Sequence, residues 1–177
     1  RRPGTECGMK SAKASTKKPK KKTAKRGSGR GAKRAATAAT KVAGLTLAER
    51  VTLAPELNDA ATAKARVDQW TRDIAGETAG KALVKLLAQK PLIARLLASF
   101  AESSPFLWEL ATAEPPRLLT LLQADPDPYF AALISRSSAA VLRAKDDVQA
   151  MRTLRRMKAE ASLLIALCDI GGACPTM

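Results

Sequence analysis

The chain contains no histidine and only three cysteines in 177 residues. Without imidazole, Ser-His and Cys-His nucleophile pairs, H-E-x-x-H zinc proteases and histidine general bases are excluded together. Cys7, Cys168 and Cys174 are odd in number and include no C-x-x-C pair. Neither a disulfide framework nor a zinc site is indicated, and a reduced cytoplasmic setting is expected. Aromatics make up only 3%. The longest strongly apolar stretch, Leu163 to Leu167, is far below the roughly 20 residues a membrane helix needs, so no membrane or export segment is expected. Val, Ile and Thr never gather in an alternating run, which leaves no candidate strand.

Positive charge is what the chain has in excess, and it is unevenly placed. Residues 1–41 hold 15 Lys/Arg against one acid, Glu6, a net +14, whereas residues 42–177 hold 16 basic and 15 acidic residues, a net +1. The stretch "MKSAKASTKKPKKKTAKRGSGRGAKRAATAAT" has no Leu, Ile, Phe, Trp or Tyr. With nothing to bury, it cannot offset the entropy of ordering its backbone, and residues 1–44 are expected to be a disordered basic tail. Lys17, Lys18, Lys20, Lys21, Lys22, Lys25 and Arg26 are its candidate polyanion contacts, acting by counterion release, weakly and without sequence preference. A purely solubilising extension is the alternative. "KKPKKKTAKR" also resembles a nuclear-import signal, and the acid-poor, Ala/Ser-containing start resembles an organellar transit peptide, although Lys outnumbers Arg and an apolar face is lacking.

From about Thr46 the pattern is helical, and the fold class is all-α, a bundle of short helices over residues 45–177. "NDAATAKARVDQWTRDIAG" offers Asn58 or Asp59 as an N-cap, with Ala63, Val67, Trp70 and Ile74 on one face and Gly76 as a stop. "GKALVKLLAQKPLIARLLASFAESS" reads as a helix re-started near Pro91, with Leu92, Leu96 and Phe100 inward. Ser104-Pro105, Pro115-Pro116, and Asp125-Pro126 or Asp127-Pro128 announce further helices by proline at the first helical position. The last helix starts at Asp146 or Asp147 and carries a stripe of Val148, Met151, Leu154, Met157, Ala161, Leu164 and Cys168, with Gly171 expected as its left-handed C-cap. Its "SLLIALC" is apolar nearly all round, so burial against several neighbours is expected. A face left bare at Leu163 or Leu167 would make the chain prone to self-association.

Three motifs resemble chemical sites. Ala75-Gly76-Glu77-Thr78-Ala79-Gly80-Lys81-Ala82 approaches a phosphate-binding loop, but Ala75 replaces the first glycine, Ala82 replaces the Mg²⁺-binding hydroxyl, and no buried strand precedes it. A turn between helices is expected. Asp125-x-Asp127 has the spacing of a two-carboxylate metal site, yet prolines follow both acids, which points to helix capping. Gly27-x-Gly29-x-Gly31 lies in the basic tail and reads as linker composition.

"FAESSPFLWELATAEPPRLLTLL" (Phe100 to Leu122), followed by "LRRMKAEASLLIALCDIGG" (Leu154 to Gly172), carries further information. The Ser104-Pro105-Phe106-Leu107 start, the proline-led helix after it, and Leu154-Arg155-Arg156-x-Lys158 running into an "IAL-x-D-x-x-G" end resemble the amino-terminal helical region of the bacterial glutamine synthetase adenylyltransferase/adenylyl-removing family. The resemblance covers roughly residues 45–172. It implies two nucleotidyltransferase-like domains in the full enzyme, one removing AMP from a tyrosine of glutamine synthetase by phosphorolysis and one attaching it from ATP, with Mg²⁺, under a small nitrogen-signalling regulatory protein.

The family's glycine-rich segment and paired Asp residues lie downstream of the matched helix, and this chain has no such segment. No catalytic, cofactor-binding or metal residue is therefore assigned, and the chain alone is expected to be inactive. Residues 45–177 are expected to be the truncated start of a larger nucleotidyltransferase-type domain, departing from the family at Ala173-Cys174-Pro175-Thr176-Met177, with Met9 an alternative initiator to the Arg1 start. Arg155, Arg156 and Lys158 read as an exposed basic face that could touch a phosphate. A basic-tailed helical module binding nucleic acid is the alternative function.

Overall fold

The structure, a computed structural model, describes residues 44–174. Among these residues the chain is all-α: α1 (Leu47–Arg50), α2 (Ala60–Ile74), α3 (Thr78–Gln89), α4 (Pro91–Ser103), α5 (Pro105–Thr112), α6 (Pro115–Gln123), α7 (Pro126–Leu142) and α8 (Asp147–Ile170). Apart from Gly44, the segment expected to be a disordered tail lies outside the described residues. No helix among the described residues is long and apolar enough to cross a membrane.

The helix starts are chemically marked. Asp59 accepts a hydrogen bond from the Thr62 amide at 3.0 Å, Ser104 from Leu107 at 3.3 Å, and Asp146 from Gln149 at 2.7 Å, each satisfying an amide that the first turn leaves free. Asp125 caps α7 by accepting from the Asp127 amide at 3.2 Å. Proline opens α4, α5, α6 and α7, where a missing N–H costs nothing. The result is a chain of short helices turned sharply against one another.

The core forms where α2 packs on α4, α3 on α6, and α5 on α8. Leu83, Leu96, Leu97, Phe100, Leu118, Leu121, Leu163 and Leu167 are all at most 2% exposed. Each such side chain contributes about 1.5–3 kcal/mol by leaving water. Ala63, Val67, Trp70 and Ile74 line the buried face of α2 as their spacing predicts. α7 and α8 form an antiparallel hairpin, the most extensive helix pair of the fold.

Four expectations are corrected. Leu92 lies on the exposed side of α4, and Ile93 and Leu97 join Leu96 and Phe100 inside, because α4 is covered on more than one side by α2, α3 and α5. Val148, Met151 and Leu154 are exposed by 69%, 48% and 39%, since the first half of α8 packs on α7 and has no other large neighbour to cover its outer side. Neither Leu163 nor Leu167 is bare, and Ile165 is the exposed member of "SLLIALC". Gly171 ends α8 in right-handed geometry with φ −78°, while the left-handed position is Gly172 at φ 63°.

Val51 to Asn58 is not helical but crosses the bundle as an extended strap. The amides of Thr52 and Leu53 donate to the Gly171 carbonyl at 2.9 and 3.1 Å, so the strap is tied to the far end of α8.

Gly80 provides a test of how tightly α3 is seated. A Cβ there would stand 1.8 Å from the Ile74 carbonyl oxygen, whereas one at Gly76 would meet nothing within 4 Å. Gly80→Ala is expected to lower stability by about 1–3 kcal/mol despite alanine's better helix propensity, and Gly76→Ala to change it by less than about 0.5 kcal/mol. Equal melting temperatures for the two variants would mean that the α2–α3 turn relaxes freely.

Candidate functional site

The two tempting acids, Asp125 and Asp127, are held by a cation absent from the sequence reading. Arg50, with a side chain 1% exposed, donates from Nη2 to Asp125 at 2.5 Å and from Nη1 to Asp127 at 2.7 Å, and its Nε donates to the Leu45 carbonyl at 3.2 Å. Burial would lower the pKa of this guanidinium, but the Asp127 hydrogen bond and the charges of Asp125 and Asp127 raise it above its ordinary value. The pair therefore serves as a capping and anchoring device. Among the described residues no three His, Cys, Asp or Glu side chains are grouped to hold a metal ion.

The P-loop-like stretch is a turn between helices, as expected. The Glu77 amide donates to the Ile74 carbonyl at 3.0 Å, and α3 has begun by Thr78. Lys17, Lys18, Lys20, Lys21, Lys22, Lys25, Arg26 and the Gly27-x-Gly29-x-Gly31 run all lie outside the described residues. Arg155, Arg156 and Lys158 are exposed on α8 as predicted. Cys168 is buried, and burial first, then the neighbouring Cys174 thiol, pushes its pKa upward, the opposite of what an activated cysteine requires.

One polar constellation does converge. Glu160, on the buried side of α8, accepts hydrogen bonds on Oε1 from the Tyr129 hydroxyl and from Arg136 Nη2, both on α7. The Arg136 guanidinium also lies 5.0 Å from the centre of the Tyr129 ring, a cation–π contact. Tyr129 and Arg136 are two turns apart on one face of α7, which puts both opposite a single position of α8. These residues form one wall of an open groove of about 600 Å³ between the start of α6, α7 and α8. Arg117 lines its other side, donating to Glu114 at 3.0 Å and to the Leu110 carbonyl at 2.6 Å, while Arg156 completes the rim. A second, shallower groove is lined by Trp70 and Trp108, packed edge to face at 5.9 Å, with Arg66 over the Trp108 ring.

Arg50, Tyr129, Arg136 and Glu160 were absent from the sequence reading. The signals for Arg50 and Glu160 were an arginine three residues after Leu47 in "LTLAERVTLA" and a glutamate set between Met157 and Ala161 in the α8 stripe. Both are charges at positions a helical repeat assigns to the core.

Residues 81–177 match the family model described as glutamate-ammonia ligase adenylyltransferase. The chain belongs to that family. It is 45% identical over 134 residues to the bifunctional glutamine synthetase adenylyltransferase/adenylyl-removing enzyme of Bradyrhizobium diazoefficiens, a match covering 76% of this chain and 13% of that protein. An enzyme of the same description from Rhodopseudomonas palustris strain BisB5 is 45% identical over 74% of this chain and 13% of its own length. Another, from Xanthobacter autotrophicus, is 42% identical over 68% and 12%. The chain thus corresponds to about 13% of the length of these curated relatives. No solved structure matches.

Tyr129 is the only tyrosine of the chain, so its ionisation can be followed by absorbance alone. Burial, and then its hydrogen bond to Glu160, raise its pKa, and Arg136 offsets part of the rise. In the native protein the midpoint is expected above the ordinary phenol value of about 10, and in denaturant it should return there. A raised folded pKa favours the protonated phenol, so this contribution to stability is complete below the unfolded value and is lost as pH climbs through the folded one. A native midpoint at or below the unfolded one would contradict the buried Tyr129–Glu160 contact.

Proposed function

We propose that this chain forms the amino-terminal helical part of the bifunctional enzyme that adenylylates and deadenylylates glutamine synthetase in nitrogen regulation, and that it supplies scaffold and not chemistry. The observation that carries this reading is the 45% identity over 134 residues to enzymes of that description. Asp125 and Asp127 are spent on Arg50, and phosphoryl-type transfer needs carboxylates free to hold Mg²⁺. ATP and Mg²⁺ then belong to the full-length enzyme and not to this segment. Glutamine synthetase, and a nitrogen-signalling regulatory protein, are partners of the whole enzyme, acting in the cytoplasm.

Incubated with adenylylated glutamine synthetase and phosphate, or with unmodified glutamine synthetase, ATP and Mg²⁺, the chain is expected to move no adenylyl group above background. Grafted in place of the matched segment of the Bradyrhizobium diazoefficiens enzyme, residues 44–174 are expected to leave both activities in place. Transfer by the isolated chain would end the scaffold reading, and a dead but folded graft would end the assignment to this segment.

The net +14 of residues 1–41 favours a second reading, in which the same chain binds nucleic acid without sequence preference. If Lys17, Lys18, Lys20, Lys21, Lys22, Lys25 and Arg26 all reach phosphates of duplex DNA, log K should fall with log salt at a slope of about −6. An affinity that does not change between low and physiological salt would rule out this electrostatic binding.

A further inference from the structure

We infer that the groove between α6, α7 and α8 is a binding site for a small organic anion, with a phosphate or carboxylate head and a short apolar body. Three arginines from three helices, Arg117, Arg136 and Arg156, line one space of about 600 Å³, within the range of small-molecule sites. Its two acids are already engaged. Glu114 pairs with Arg117 at 3.0 Å, and Glu160 takes Arg136 and the Tyr129 hydroxyl on a single oxygen. Arg156 has no carboxylate partner among the described residues, so the lining carries one uncompensated positive charge at its rim.

The order behind that rim separates the groove from a solvated basic face. Arg117 has a side chain 9% exposed, and its Nε is buried with no hydrogen-bond partner, so this cation has been taken from water without full compensation. Such a group strengthens the local positive potential, because the low-dielectric walls screen it poorly. Arg136 is fixed from two directions, by Glu160 and by the Tyr129 ring. Held guanidinium forks lose less freedom on meeting a planar or tetrahedral oxyanion than free ones do. Leu133 and Met157 form apolar walls beside the cations, which is why an organic anion fits better than a bare one. Cation binding is disfavoured by the same count of charges.

The experiment uses the full chain labelled with ¹³C at methionine methyls. Met157 lines the groove, Met151 lies on the exposed outer side of α8, and Met9 sits among the amino-terminal lysines, so one spectrum separates groove binding from attraction to the basic segment. Phenyl phosphate, benzoate and inorganic phosphate are titrated separately at low ionic strength, which limits screening of the rim arginine. We expect a saturable Met157 shift with half-saturation at about 0.1–1 mM for phenyl phosphate or benzoate, whichever head the site takes, and weaker binding of inorganic phosphate. Arg156→Gln should raise that concentration about tenfold, whereas Lys158→Gln, an exposed cation outside the lining, should leave it unchanged. The inference is overturned if Met157 does not move, if its shift is the same in Arg156→Gln, or if all three probes only move Met9. Equal affinity for inorganic and phenyl phosphate would overturn the organic part of the assignment.

Discussion

The described fold depends on one buried cation. Arg50 sits in a four-residue helix too short to hold itself together, yet its guanidinium reaches the junction of α6 and α7, where Asp125 and Asp127 receive it. Around it, the Gly44 amide donates to Asp125 at 2.7 Å and the Leu47 amide to the Ala124 carbonyl at 2.7 Å. A buried ion pair is weak evidence for stability by itself, since desolvation offsets much of the Coulomb attraction. Here each of the three guanidinium nitrogens has an acceptor, so the ion is tolerated, and its geometry fixes register. Removing both acids would strand the buried Arg50 charge at a cost of about 3–5 kcal/mol.

That register positions everything downstream. Asp125 both anchors Arg50 and caps α7, so the direction of the α7–α8 hairpin is set where the strap is attached. The strap begins at that same open end of the hairpin, where the Thr52 and Leu53 amides donate to the Gly171 carbonyl just past α8. Gly172 can follow only because it takes φ 63°, and a Cβ there would stand 2.8 Å from Leu53. The groove of Arg117, Arg136 and Arg156 lies between α6 and that hairpin.

Helices were legible in the sequence because their signals are local. A capping Asp or Ser followed by proline, or by an apolar residue every three or four positions, specifies a start and a face within a few residues. Ala63, Val67, Trp70 and Ile74 follow that rule and are buried. Val148, Met151 and Leu154 follow it too and are exposed, because periodicity reports that a face is apolar and not that a neighbour is present to cover it. The partners of Arg50 stand 75 and 77 residues away, and no local pattern encodes a contact at that separation. The groove escaped notice for the same reason: its cations come from three helices, and only Arg156 belongs to a visible basic cluster.

Glu160 sharpens the distinction between holding a fold and building a site. It occupies a position that is 8% exposed on α8, where Leu or Met would fill the same volume without desolvating a carboxylate. Replacing buried ionic groups with well-packed apolar ones is often neutral or stabilising, so stability alone gives little reason for a Tyr129–Glu160–Arg136 cluster. Leu133, within the same hairpin, is 1% exposed and shows that apolar side chains pack there readily. What the cluster provides instead is orientation: Glu160 fixes one arginine at the groove wall and restrains the only tyrosine of the chain beside it. A side chain held in this way loses little further entropy when a ligand arrives, whereas a bare lysine on the outer side of α8 must be ordered at that moment. The expense of burying Glu160 is thus better explained by the groove it shapes than by the helices it joins.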